Sequence, residues 1–114
     1  MLEFHEYSER AHATAFYSQS IKGNMPSLVY AALGVGGESG ELLEKIKKLY
    51  RDSGGNLDED IQLAIIKEAG DVLWYLNEVA LMAGSSLEKV AEENLKKLEE
   101  RTKRKTLQGS GDDR

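Results

Sequence analysis

The sequence predicts an all-α fold: a four-helix bundle with an antiparallel central pair, assembled into an oligomer. Three observations carry this expectation. The chain has 114 residues, 40% of them hydrophobic and 31% charged, with a single proline, a composition that suits a helix-rich globular domain. Apolar residues recur at helical spacing between breaks at Gly23-Asn24, Gly54-Gly55 and Gly84. Finally, two acidic pairs, Glu38-x-x-Glu41 and Glu68-x-x-Asp71, are symmetric about one point. The midpoint of Glu38 and Asp71, and that of Glu41 and Glu68, both fall between Gly54 and Gly55. Two antiparallel helices joined there would hold both pairs level.

The first helix is expected from Glu3 to Ser20, with Phe4, Tyr7, Ala11, Ala15 and Phe16 on one stripe. The second begins near Pro26, because proline is tolerated in a first helical turn, and runs to about Tyr50 before Arg51-Asp52-Ser53-Gly54-Gly55-Asn56 turns the chain. The third starts behind Asp58, a good cap residue, and runs to about Ala83. Ser85-Ser86-Leu87-Glu88 resembles a capping box opening a fourth helix that ends near Thr102. The domain therefore spans residues 1–102, and 103–114 form a basic and then Gly/Ser-rich tail.

Helix three is apolar on nearly every side, through Ile61, Leu63, Ile65, Ile66, Val72, Leu73, Leu76 and Val79. Such a helix is normally buried all round. Four helices of this size leave part of it uncovered, so a homo-oligomer is expected to cover the rest. The absence of cysteine excludes disulfides, thiol catalysis and cysteine-based zinc sites. No apolar run reaches bilayer length, and Glu3, Glu6 and Glu9 stand where a signal peptide would be basic and then apolar. A cytoplasmic protein with no membrane partner is expected. A net charge of −5 without a basic stripe argues against direct nucleic-acid binding. It also argues against phosphate ligands unless metal ions mediate.

Spacing of three places each acidic pair on one helical face. Four carboxylates brought together repel strongly, and hard oxygen ligands favour Mg²⁺, with Mn²⁺ as the alternative, over zinc. A solvated helix face with salt bridges is the plain alternative for any single E-x-x-E. Beyond the shared midpoint, glycines set these pairs apart: Gly34, Gly36, Gly37 and Gly40 crowd helix two, and Gly70 interrupts helix three. Each costs about 1 kcal/mol relative to alanine, a cost that close helix approach or room for a ligand would explain. Glu9-x-x-His12 has the form of one half of a di-iron site, but the second E-x-x-H is missing.

Gly36-Gly37-Glu38-Ser39-Gly40-Glu41-Leu42-Leu43-Glu44-Lys45-Ile46-Lys47-Lys48, followed by Lys67-Glu68-Ala69-Gly70-Asp71-Val72-Leu73-Trp74-Tyr75-Leu76, resembles the MazG-type nucleotide pyrophosphohydrolases. These belong to the all-α nucleoside triphosphate pyrophosphatase superfamily, whose signature is E-x-x-E, a spacer (here residues 42–67) and E-x-x-D. The likeness extends through Tyr7, Ala13-Thr14-Ala15-Phe16-Tyr17, Asn94-Leu95-Lys96-Lys97-Leu98 and Gly109-Ser110-Gly111-Asp112. It is nearest to the small single-domain members often borne by phages. The resemblance implies a four-helix core, dimers or tetramers, and Mg²⁺-dependent cleavage of nucleoside triphosphates between the α and β phosphates. By motif position Glu38, Glu41, Glu68 and Asp71 would be the metal ligands and catalytic carboxylates, with Glu41 one candidate for the proton acceptor.

Lys45 and Lys48 share the face of Glu41 and are candidates for holding distal phosphates; a simple Glu41–Lys45 surface pair is the alternative. Tyr75 lies one turn beyond Asp71, where its ring could stack on a base, whereas Trp74 is expected to point into the core or an interface. Asn94 matches an asparagine of the family's fourth helix and is a candidate sugar or base contact, with Lys97 one turn later for phosphate. Arg104, Lys105 and the Gly-Ser-Gly-Asp tail could close over a nucleotide, or be a free terminus. A house-cleaning or nucleotide-pool enzyme is the first functional expectation. The alternatives are a non-catalytic metal- or nucleotide-binding bundle acting through protein contacts, and a dUTPase-like or phosphoribosyl-ATP branch of the superfamily.

Overall fold

The computed structural model describes residues 1–104, which are all-helical and contain no strand. The elements are α1 (Phe4–His12), a 3₁₀ turn (Phe16–Gln19), α2 (Asn24–Ser53), α3 (Glu59–Met82) and α4 (Leu87–Arg104). The antiparallel pair α2 and α3 forms the dominant packing, while α1 and α4 pack against α3 and against each other. No described helix is long and apolar enough to cross a membrane.

The turn that pairs the central helices is built as the glycines suggest. Gly54 follows the last residue of α2 with φ 64°, and Gly55 has φ 85°, both in the left-handed region where a Cβ is costly. The Asp58 carboxylate accepts from Ile61 N at 2.9 Å and starts α3. At its other end Gly84 (φ 79°) completes a Schellman motif: Ser85 N donates to Ala80 O and Gly84 N to Leu81 O. The fourth helix opens one residue later than the capping box suggests. Ser86 is the cap, accepting from Lys89 N at 3.1 Å, so a lysine occupies the third helical position where the box needs an acid. α2 exceeds its expected span at both ends, and α4 continues through Arg104. Lys105 and the Gly-Ser-Gly-Asp segment lie outside the described residues.

Helix one departs most from expectation, ending at His12 rather than Ser20. The Ala11 carbonyl accepts from Thr14 N at 3.0 Å and Thr14 Oγ1 at 2.7 Å, with Trp74 Nε1 3.2 Å away. Trp74 Nε1 also donates to Thr14 Oγ1 at 2.9 Å. With that carbonyl occupied, the Ala15 N–H bonds to His12 O instead, and the chain tightens and leaves the helical path. The 3₁₀ turn that follows carries Tyr17 back toward α3.

Little large apolar surface is buried in the single chain. Among the described residues the buried hydrophobic side chains are Ala11, Ala15, Ala31, Ala80 and Leu87, whereas Leu33 is 72% exposed, Leu43 66%, Tyr50 79% and Ile66 65%. The most deeply buried large side chains are polar: Asn77 and Glu78, both 0% exposed, on α3.

Candidate metal centre

Antiparallel packing brings Glu38 of α2 beside Glu68 and Asp71 of α3. One carboxylate oxygen from each lies within 4.8 Å of the others, a spacing that suits ligands of a single cation. Mutual repulsion registers at Glu38: its carboxyl is pushed above the usual range, first by desolvation, then by the charges of Asp71, Glu68 and Glu41. Tyr7 and Tyr75 are also raised, mainly by burial, and the negative charge of Asp71 adds to both. Three clustered hard oxygen donors fit a small divalent cation such as Mg²⁺ or Mn²⁺.

Glu41 does not join this cluster. It stands one turn along α2, exposed, near enough for its charge to act on Glu38. Lys45 reaches across to α3, with Nζ 3.9 Å from Glu68 Oε1, so the pairing is with an acid of the cluster rather than with Glu41. Lys45 and Lys48 together line a hollow of about 240 Å³ with Leu49, Asp52, Ile61 and Ile65. On the other side of the acids, a hollow of about 340 Å³ is lined by Glu38, Asp71, Trp74 and Tyr75. Tyr75 therefore sits where its spacing from Asp71 places it. Trp74 was expected to point elsewhere; it lines the same hollow, because its indole N–H is held by Ala11 and Thr14. Asn94 and Lys97 belong to α4, which packs on α1 and α3, and line neither hollow.

The glycines separate into two groups. A Cβ on Gly34 would lie 2.7 Å from Tyr75 Cγ and nearer still to Cδ1 and Cε1, so a close approach explains this glycine. Gly36, Gly37, Gly40 and Gly70 face open space, so close packing within the chain does not account for them. Gly34 and Tyr75 share the 54.5 midpoint of Glu38 and Asp71, so one helix register produces both contacts.

Sequence reasoning missed the aromatic surroundings. Tyr17 stacks on Tyr30 with centroids 4.7 Å apart, Tyr30 lies 6.3 Å from Tyr75, and Trp74 meets Tyr75 edge-on at 5.0 Å. Tyr17, Tyr30 and Tyr75 come from three separate elements, so no local period in the sequence links them. His12 does find a carboxylate, but its partner is Glu78 on α3 and not Glu9. A larger hollow of about 530 Å³, lined by Leu2, Phe4, His5, Tyr7, Leu73 and Glu88 among others, contains none of the clustered acids. The chemistry follows the carboxylates rather than the size of the space.

The chain is 37% identical over 113 residues to the Gene 37 protein of Mycobacterium phage L5, an alignment covering 95% of this chain and 96% of that protein. No solved structure matches it significantly. The family model for the MazG nucleotide pyrophosphohydrolase domain matches residues 30–106, a span that contains both acidic pairs, Lys45 and the Trp74-Tyr75 wall. The chain belongs to the MazG nucleotide pyrophosphohydrolase family.

Proposed function

We propose that this protein is a Mg²⁺-dependent nucleoside triphosphate pyrophosphohydrolase that cleaves the bond between the α and β phosphates of ribo- or deoxyribonucleotides in a nucleotide-pool or house-cleaning role. The observation that carries the reading is the convergence of Glu38, Glu68 and Asp71 with Lys45 at their edge. A divalent cation bound there would neutralise the acids and the triphosphate and lower the pKa of a water. Glu38, Glu68 and Asp71 would supply the oxygens that hold it, and Glu41, outside that trio, would accept the proton of the attacking water. Water adds to the α phosphorus, the bond to the β-phosphate oxygen breaks, and the products are a nucleoside monophosphate and pyrophosphate. Lys45 and Lys48 take the departing phosphates, while the Trp74-Tyr75 hollow receives the nucleoside. Asn94 and Lys97 stay in this reading as sugar and phosphate contacts only if α4 of a neighbouring subunit brings them to the acids.

Such a neighbour is part of the proposal. The exposed Leu33, Leu43, Tyr50 and Ile66 side chains would be covered in a homodimer or homotetramer. The extended form agrees: the radius of gyration is 16.8 Å, against roughly 13 Å for a compact chain of this length. A cytoplasmic location is part of the same proposal.

Measuring pyrophosphate release from a panel of ordinary, deoxy and damaged nucleoside triphosphates with Mg²⁺ tests the reaction, with Glu41→Gln and Asp71→Asn beside the wild type. Monophosphate plus pyrophosphate, lost in both variants, is the expected result. Diphosphate plus orthophosphate would mean that a different bond is cut. Tight Mg²⁺–nucleotide binding without turnover would favour a non-catalytic binding module, and a strict preference for dUTP or phosphoribosyl-ATP would place the chain in those branches.

A further inference from the structure

Glu78 stands apart from the acidic cluster and takes no part in the reaction described above. It is 0% exposed, and burying a carboxyl is costly unless its oxygens are satisfied. Two groups do so, one from the end of α1 and one from the 3₁₀ turn that follows it. The Tyr17 hydroxyl donates to Oε1 at 2.7 Å, and His12 Nδ1 lies 2.9 Å from Oε2 and 3.2 Å from Oε1. An apolar pair could join the same elements at equal or lower cost. A hydrogen bond to a tyrosine hydroxyl adds direction, because it fixes where the ring lies.

That ring begins a continuous layer. Tyr17 stacks on Tyr30 (4.7 Å, 21° between planes) and meets Trp74 edge-on at 6.4 Å. Tyr30 leans on Tyr75 at 6.3 Å, and Tyr75 meets Trp74 at 5.0 Å. The last two rings line the hollow beside Glu38 and Asp71. Tyr75 and Glu78 are three residues apart on α3, so one helical face carries both the wall of the hollow and its anchor. The Trp74 indole, bound to Ala11 O and Thr14 Oγ1, secures the same α1–α2 segment from the other side.

We propose that Glu78, His12 and Tyr17 form a positioning network that sets the aromatic wall against which the base of the nucleotide stacks, and so contributes to base selectivity. This rests on the pyrophosphohydrolase reading. The network touches neither the phosphates nor the clustered acids; it acts through Tyr17 on Tyr30 and the Trp74-Tyr75 pair.

Tyr17→Phe is the first variant, since it keeps the ring and removes only the bond to Glu78. KM for the preferred nucleoside triphosphate is expected to rise about fivefold, a partial loss of the stacking that a base gains on aromatic side chains, with kcat within about twofold. Discrimination between the best and next-best bases should shrink. Trp74 is the single tryptophan of the chain, so the emission of the free protein should shift as its surroundings move. Glu78→Ala should give the same signature; if it does not fold, Tyr17→Phe decides alone. Unchanged KM, discrimination and emission, with only a lower Tm, would make the network a fold anchor and overturn the proposal. So would a fall in kcat shared equally by all nucleotides. If the wild type releases no pyrophosphate from any nucleotide, the functional reading fails, and the Trp74 emission of Tyr17→Phe separately decides whether the network positions the wall.

Discussion

Gly34→Ala adds one methyl group where α2 passes the Tyr75 ring. Its Cβ would lie 2.7 Å from Tyr75 Cγ, whereas ordinary contact begins at 3.4 Å, and Cδ1 and Cε1 are closer still. The ring must therefore retreat by at least 0.7 Å at Cγ. Its surroundings are Trp74 edge-on at 5.0 Å, Tyr30 at 6.3 Å and the hollow beside Glu38 and Asp71, so a retreat of the ring disturbs an aromatic contact or the shape of that hollow. Two terms oppose each other in stability: overpacking costs roughly 1–3 kcal/mol, while replacing a mid-helix glycine by alanine contributes about 1 kcal/mol. The net destabilisation is then at most about 2 kcal/mol. Function should respond more strongly, because the displaced ring lines the hollow beside Glu38 and Asp71, and a shift near 1 Å at a substrate-positioning group can cost on the order of 10²-fold. Steady-state pyrophosphate release with a thermal melt should show kcat/KM reduced by about ten- to a hundredfold, with Tm lowered by no more than about 8 °C. Gly36→Ala, where a Cβ meets nothing within 4 Å, should raise Tm by about 4 °C through helix propensity alone. A Gly34→Ala protein that is fully active and as stabilised as Gly36→Ala would refute the close-approach argument.

Three further outcomes are expected. The raised carboxyl of Glu38 has a definite pH signature: between its ordinary value of 4.5 and its higher folded value the native state binds more protons than the unfolded state. Stability of the metal-free protein therefore falls as pH rises through that window, and added Mg²⁺ should flatten the fall; parallel melting curves in EDTA and in Mg²⁺ across pH would contradict the cluster's electrostatics. Lys45→Met should raise KM about fivefold by removing a charged phosphate contact, with little effect on Tm because its half-exposed pairing with Glu68 is worth at most about 1 kcal/mol; an unchanged KM would remove Lys45 from the phosphate site. Ile66→Glu, at a position 65% exposed in the single chain, should shift sedimentation toward smaller species, whereas in a monomer it would change stability by no more than about 0.5 kcal/mol and leave sedimentation untouched.

The sequence by itself determined the features that depend on short-range pattern. Asp58 and Gly84 act where cap chemistry puts them, and Gly54-Gly55 turns the chain because glycine adopts left-handed backbone at little cost. The shared midpoint of the acidic pairs foretold the approach of Glu38 to Asp71 and Glu68, since two straight helices leaving one turn must bring equidistant residues level. What depends on partners far along the chain was decided only by tertiary structure. Helix one stops at His12, where the Ala11 carbonyl is shared by Thr14 and by a tryptophan more than sixty residues away, a partner that no helical period can encode. Glu78 lies in the apolar third helix, but nothing in its sequence surroundings names Tyr17 and His12, the partners between which packing buries it. Among five glycines of similar appearance only Gly34 meets a ring, and Glu41 stands off a cluster that its spacing alone assigned to it. Periodicity says which face a residue shares; only the crossing of the helices decides what that face meets.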